Sequence, residues 1–152
     1  MLPEKKKLAS KGEEEFRRLT YELRYLEQTE AAIESRLNMI NAVTTDLAYA
    51  SMTLESMGKE KEDAELLVPI GASSYIKAKL DSSDKIIVGM GGGVSVEKTR
   101  QEAGEIIKSR LESLEKTRVA LQQQYSQVAQ KIADDRGKIE ALVATLREGK
   151  IP

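Results

Sequence analysis

The sequence contains no cysteine, no histidine, no tryptophan and one phenylalanine. Without cysteine there is no disulfide framework, and without cysteine or histidine the common zinc donor sets are excluded. The same absence removes two of the side chains most used as nucleophile and as general acid or base. A chain free of thiols suits a reducing or hot interior. No apolar run approaches the roughly 20 residues of a membrane helix, and there is no signal-peptide core. The expectation is a cytoplasmic protein with no membrane contact. An excess of one charge is also missing: 24 Lys and Arg stand against 25 Asp and Glu, for a net charge of −1. That balance fits solvated helix faces rather than a basic footprint for nucleic acid. Aromatic residues make up only 4% of the chain, which argues against a large globular core.

What is present is a sustained heptad pattern. Phe16, Leu23, Glu30, Leu37, Thr44 and Ser51 fall at one seam position. Leu19, Leu26, Ile33, Ile40, Leu47 and Leu54 fall at the other without interruption. This is the 3.5-residue repeat of a coiled coil. Gly58 marks its stop, and the spacing predicts a helix over 13–57, about 65 Å long at 1.5 Å per residue. Residues 1 to about 12 read as a frayed or weakly helical tail. A second seam runs through Leu111, Arg118, Tyr125, Ile132, Ile139 and Leu146, with Ile107, Leu114, Leu121, Val128, Asp135 and Leu142 as companions. Thr99-Arg100-Gln101-Glu102 is a capping box, so a helix is expected over 99–148, again about 70 Å long. Two helices of matched length predict an antiparallel pair. One register sets Leu54 against Gly104, Leu47 against Leu111 and Leu23 against Asp135.

Between them, residues 66–98 alternate apolar and polar residues with the period of a strand. Val68 and Ile70 precede Gly71, and Ile76 and Ala78 follow it. Ile86, Val88 and Met90 precede the glycine run 91–93, and Val94 and Val96 follow it. The stretch repeats itself, and each half turns at glycine, where a hairpin needs positive φ. The reading is two β-hairpins in tandem, joined by the polar turn 81–84. Two isolated hairpins leave open edges, which are marginal in water unless more strands join them.

Chemistry is hard to find. Gly89, Gly91, Gly92 and Gly93 precede Lys98 and Thr99, but a Walker loop places its Lys directly after the last glycine. Asp81 and Asp84 are too few for a Ca²⁺ loop. Glu30 and Asp135 on apolar seams set register or loosen a coil. No constellation supports an enzyme, and no cofactor or metal site is expected.

The stretches LLVPIGASSYIKAKL and KIIVGMGGGVSVEKT, set between two long heptad helices, resemble the α-class subunits of archaeal prefoldin. The resemblance covers nearly the whole chain in layout and is most specific at residues 67–71, 75–78 and 88–91. Two hairpins rather than one point to the α class; Gly137 and the end through Lys150, Ile151 and Pro152 depart from the pattern. The resemblance implies one prefoldin-like domain over 1–152 with an α+β, mainly α fold: a long antiparallel coiled-coil helical hairpin with two β-hairpins inserted at one end. It implies a hetero-hexamer of two α and four β-class subunits, with the hairpins closing into barrels. It further implies an ATP-independent chaperone that holds unfolded client proteins at coiled-coil tips and passes them to a group II chaperonin. The residues themselves nominate the surfaces. Oligomerisation falls to Val68, Ile70, Ile76, Ala78, Ile86, Val88, Met90, Val94 and Val96. Client binding falls to Leu8, Phe16, Leu19, Leu142, Val143 and Leu146, gathered where the chain ends converge. A structural homo-oligomer or filament built from the same edges is the alternative, and a small-molecule enzyme is the remote one.

Overall fold

The structure, a computed structural model, describes residues 2–149. Its elements follow in the order α1 (Leu2–Met57), β1 (Glu65–Gly71), β2 (Ser74–Lys79), β3 (Lys85–Gly91), β4 (Val94–Thr99) and α2 (Arg100–Glu148). This is the expected α+β, mainly helical fold, with two helices flanking two hairpins. One boundary differs. α1 starts at Leu2, so the stretch expected to be tail is helical. Pro3 sits in the first turn, where its missing N–H would have had no partner anyway, and good helix formers follow it. Lys150, Ile151 and Pro152 lie outside the described residues.

The chain divides into two compact units, Met1–Ile40 with Thr117–Pro152, and Asn41–Lys116. In the first, the helix segments run antiparallel: a Cβ on Gly12 would lie 3.5 Å from Leu146 Cδ2, while Glu22 pairs with Lys131. Leu19, Leu26, Ile33, Leu121 and Ile132 are buried there, each at a predicted seam position. Phe16, Leu23, Leu37, Val128, Ile139 and Leu142 are half-buried beside them. Each buried Leu or Ile stabilises the pairing by about 1.5–3 kcal/mol relative to exposure.

In the second unit, Leu54, Val88, Ala103 and Ile107 form one buried cluster, lined by Leu47, Ala50, Ile86, Ile106 and Leu111. α1 ends where Gly58 N–H donates to Leu54 O (3.2 Å) and the last turn tightens, Lys59 N–H donating to Ser56 O and Glu60 N–H to Met57 O. A Cβ on Gly58 would stand 2.5 Å from Arg100 Nη1, the far end of a side chain that can shift aside. The Arg100 guanidinium thereby sits at the negative end of the α1 dipole, which favours a cation. α2 opens with the predicted capping box. Thr99 N–H donates to Glu102 Oε2 (2.9 Å), and Glu102 N–H donates to Thr99 Oγ1 (3.1 Å). That bond to the Thr99 amide holds the Glu102 carboxyl below its ordinary range.

Candidate functional site

The hairpins form two separate two-stranded sheets. β1 pairs β2 with Val68 opposite Ile76 and Gly71 opposite Ser74. β3 pairs β4 with Val88 opposite Val96 and Gly91 opposite Val94. The two registers superpose, as the internal repeat predicts. Both turns also bulge at the same place, before Gly71 and before Gly91. In the second turn Gly92 and Gly93 supply φ of 59° and 78°. In the first, the same left-handed conformation falls on Ala72 (47°) and Ser73 (56°), which lack glycine's freedom. Each hairpin therefore leaves the outer edges of both strands without a ladder partner among the described residues.

The expected oligomerisation residues divide by burial. Val68, Ile70, Ile76, Met90, Val94 and Val96 are exposed in the single chain. Ala78 and Ile86 are half-buried, and Val88 is buried against α1 and α2. The second hairpin is thus rooted in the helices. Arg110 adds a tether by donating from Nη2 to Gly89 O at 2.7 Å. The first hairpin continues its ladder at the base, where Leu80 N–H donates to Ala64 O and Asp63 N–H to Leu80 O. The opposite faces are mixed: Leu67 and Tyr75 are exposed there beside Lys77, and Ile87, 76% exposed, lies across from Glu97. Large apolar side chains exposed on both faces mark a surface suited to contact. In the sequence, the apolar residues Leu67 and Ile87, out of phase with Val68 and Val88, are the signal for the second face. Arg110 carried no such signal, since a charge on a helix face is ordinarily solvated.

The second candidate surface lies where α1 begins and α2 ends. Leu8 is 70% exposed. Phe16, Leu142, Val143 and Leu146 are half-buried, and Leu19 is only 2% exposed. Next to this group lies Asp135, 1% exposed, whose Oδ2 accepts no hydrogen bond. Lys131 Nζ stands 3.8 Å from Oδ2 and Lys138 Nζ 3.7 Å from Oδ1, ion-pair contacts that fall short of hydrogen bonds. Lys131 instead donates to Glu22 Oε1, and Arg136 Nη2 donates to Glu27 Oε1 at 2.8 Å. The Glu22–Lys131 bond holds the Glu22 carboxyl below its usual range and raises the Lys131 ammonium. The Glu30 charge raises the Tyr125 hydroxyl.

Among the described residues there is no cluster of three or more Asp or Glu that could hold a metal, and no helix is long and apolar enough to cross a membrane. What the surfaces offer is apolar contact and open strand edges.

Comparison with known proteins accords with that geometry. The family model described as "Prefoldin subunit" matches residues 26–145. A putative prefoldin subunit alpha of Aquifex aeolicus is 32% identical over 148 residues, covering 97% of this chain and 95% of its own length. The prefoldin subunit alpha of Methanococcoides burtonii is 32% identical over 126 residues, 83% of this chain and 91% of that protein. A filamentous PFD from Methanocaldococcus jannaschii, solved by cryo-electron microscopy, aligns with a TM-score of 0.60 at 26% identity, covering 80% of this chain and 95% of that one. Matching helices, hairpins and near-full-length relatives place this chain in the prefoldin family of chaperone subunits, among its alpha-class members.

Proposed function

We propose that the chain is the α subunit of an ATP-independent holdase, built with β-class subunits into a hexamer of two α and four β chains. The observation that carries this reading is the pair of hairpins with open edges and apolar side chains on both faces. Joining strands of other subunits removes the edges and covers Ile70, Ile76 and Ile87 together. In this reading unfolded clients are held by Leu8, Phe16, Leu19, Leu142, Val143 and Leu146 and are then passed to a group II chaperonin in the cytoplasm. Burying about 100 Å² of apolar surface at one such end yields roughly 2.5 kcal/mol, so one end binds weakly. Several ends on one frame bind usefully through effective concentration. The contact is non-directional, which suits clients that share only exposed apolar chain.

The test is native mass measurement of the chain co-expressed with a β-class subunit, followed by aggregation assays on an unfolded test protein. A mass of two α and four β chains, with protection lost after trimming residues 1–19 and 140–152, supports the reading. Protection unchanged by the trimming moves the client surface elsewhere. The likeness to a filamentous assembly favours a second reading, in which the same hairpin edges propagate a homo-oligomer or filament. Light scattering of the chain alone distinguishes it: growth without a β-class partner supports the filament.

A further inference from the structure

The geometry points to Asp135 as a weak joint that lets the neighbouring end of the helix pair open, so that Phe16, Leu19, Leu142 and Leu146 become available to a client. The inference rests on the holdase reading for what the opened end binds. The opening itself is carried by the packing.

Most of the nominated client residues are not free surface in the closed helix pair. Leu19 is buried, and Phe16, Leu142 and Leu146 are half-covered by the facing helix. More of that surface reaches a client once the helices part. The seam is poorest at the boundary of this segment. Asp135 occupies a position where the rest of the seam is mostly Leu, Ile or Val, and its Oδ2 is buried with no hydrogen bond. A buried polar atom without a partner favours any conformation in which water reaches it. The lysines on either side do not compensate fully, because Lys131 is half exposed and directs its hydrogen bond to Glu22 rather than to Asp135.

The helices beyond this point are weakened independently. Gly137 follows on α2, and Gly12 faces Leu146 on α1. Glycine in a helix interior favours unwinding through its larger backbone entropy. No packing demands it at either place. A Cβ on Gly137 would meet nothing within 4 Å, and one on Gly12 would make ordinary contact. A buried carboxylate whose Oδ2 lacks a hydrogen bond and two glycines that packing does not require therefore act in one direction, on one segment. Local opening of this kind is read by amide exchange.

The test uses the full chain in its native assembly and two variants, Asp135→Leu and Gly137→Ala. Hydrogen exchange is followed over residues 11–23 and 138–148, and protection of reduced, denatured lysozyme from aggregation is measured beside it. Asp135→Leu is expected to slow exchange in both segments by about tenfold or more, since an apolar residue replaces a buried carboxylate held only by two long ion-pair contacts. Gly137→Ala is expected to act in the same direction, with a smaller effect. Both are expected to slow client capture. Exchange that stays the same or quickens in both variants overturns the joint. Slower exchange with unchanged capture overturns its role in presenting the surface. A wild-type assembly that holds no client overturns the holdase reading, while the exchange result still judges the joint on its own.

Discussion

Val88 of the second hairpin packs into the same buried cluster as Leu54 of α1. The strand residues are therefore not equivalent, although the sequence pattern makes them look alike. Ile76 occupies no such cluster and is 54% exposed, with Val68 across the ladder. Ile76→Asp is expected to leave the helical content and thermal midpoint of the single chain nearly unchanged, because its charge stays solvated there. Covering it with another subunit buries an unpaired charge, so assembly is expected to weaken by several kcal/mol. Val88→Asp is expected to cost about 3 kcal/mol or more of the chain's own stability. Sizing by light scattering together with circular dichroism separates the two outcomes. Assembly surviving Ile76→Asp would show that this face is not the interface.

The two turns make an internal comparison. Gly92 and Gly93 take the left-handed conformation freely, whereas Ala72 and Ser73 are held in it. That conformation costs a non-glycine residue about 1–2 kcal/mol. Replacing Ala72-Ser73 with Asn-Gly, the sequence most favoured for this turn, is expected to stabilise the first hairpin by about 1 kcal/mol. The reverse change, Gly92-Gly93 to Ala-Ser, is expected to destabilise the second by a similar amount. Chemical denaturation of the assembled protein checks both signs.

The periodic elements were legible in the sequence because a single rule governs them. Seam residues such as Leu19, Leu26 and Ile132 are buried because a 3.5-residue repeat leaves them no other face. The capping box at Thr99 and Glu102 was equally local. The start of α1 was less legible, since the charged run after Pro3 has helical propensity but no heptad to advertise it. The division of the hairpin residues into rooted and open sets was not legible at all. Val88 and Ile76 share one pattern, and only the docking of β3 on Leu54 and Ile107 tells them apart. The same holds at the ends of the helices, where apolar identity marks Leu8 and Leu19 alike while packing leaves one open and buries the other.

Antiparallel pairing within one chain predicts a specific proximity. Glu27 meets Arg136 through a 2.8 Å hydrogen bond. Cysteines placed at these two positions, in a chain that has none of its own, are expected to give a short spin-label distance that persists on dilution to the monomer. A distance that shortens only on association would mean that helices of different chains pair.

The Glu22–Lys131 bond predicts how acid and base act on the same helix pair. The Glu22 carboxyl is lowered from its ordinary value of 4.5, first by the hydrogen bond from Lys131. A depressed carboxylate contributes stability that is present above its unfolded value and is lost as pH falls through the folded one. Lys131 is raised from 10.5 by the same bond, so its contribution is present below that value and is lost as pH rises through the folded one. The difference in thermal midpoint between the wild type and Glu22→Gln is therefore expected to hold steady between these limits. It should shrink toward zero below pH 4.5 and again above 10.5. Both side chains are reached by solvent, so the difference should be modest and should fall further in about 1 M salt, where screening acts within about 3 Å. A difference that widens on acidification would mean that protonating Glu22 strengthens the bond, the opposite of what a charged pair does.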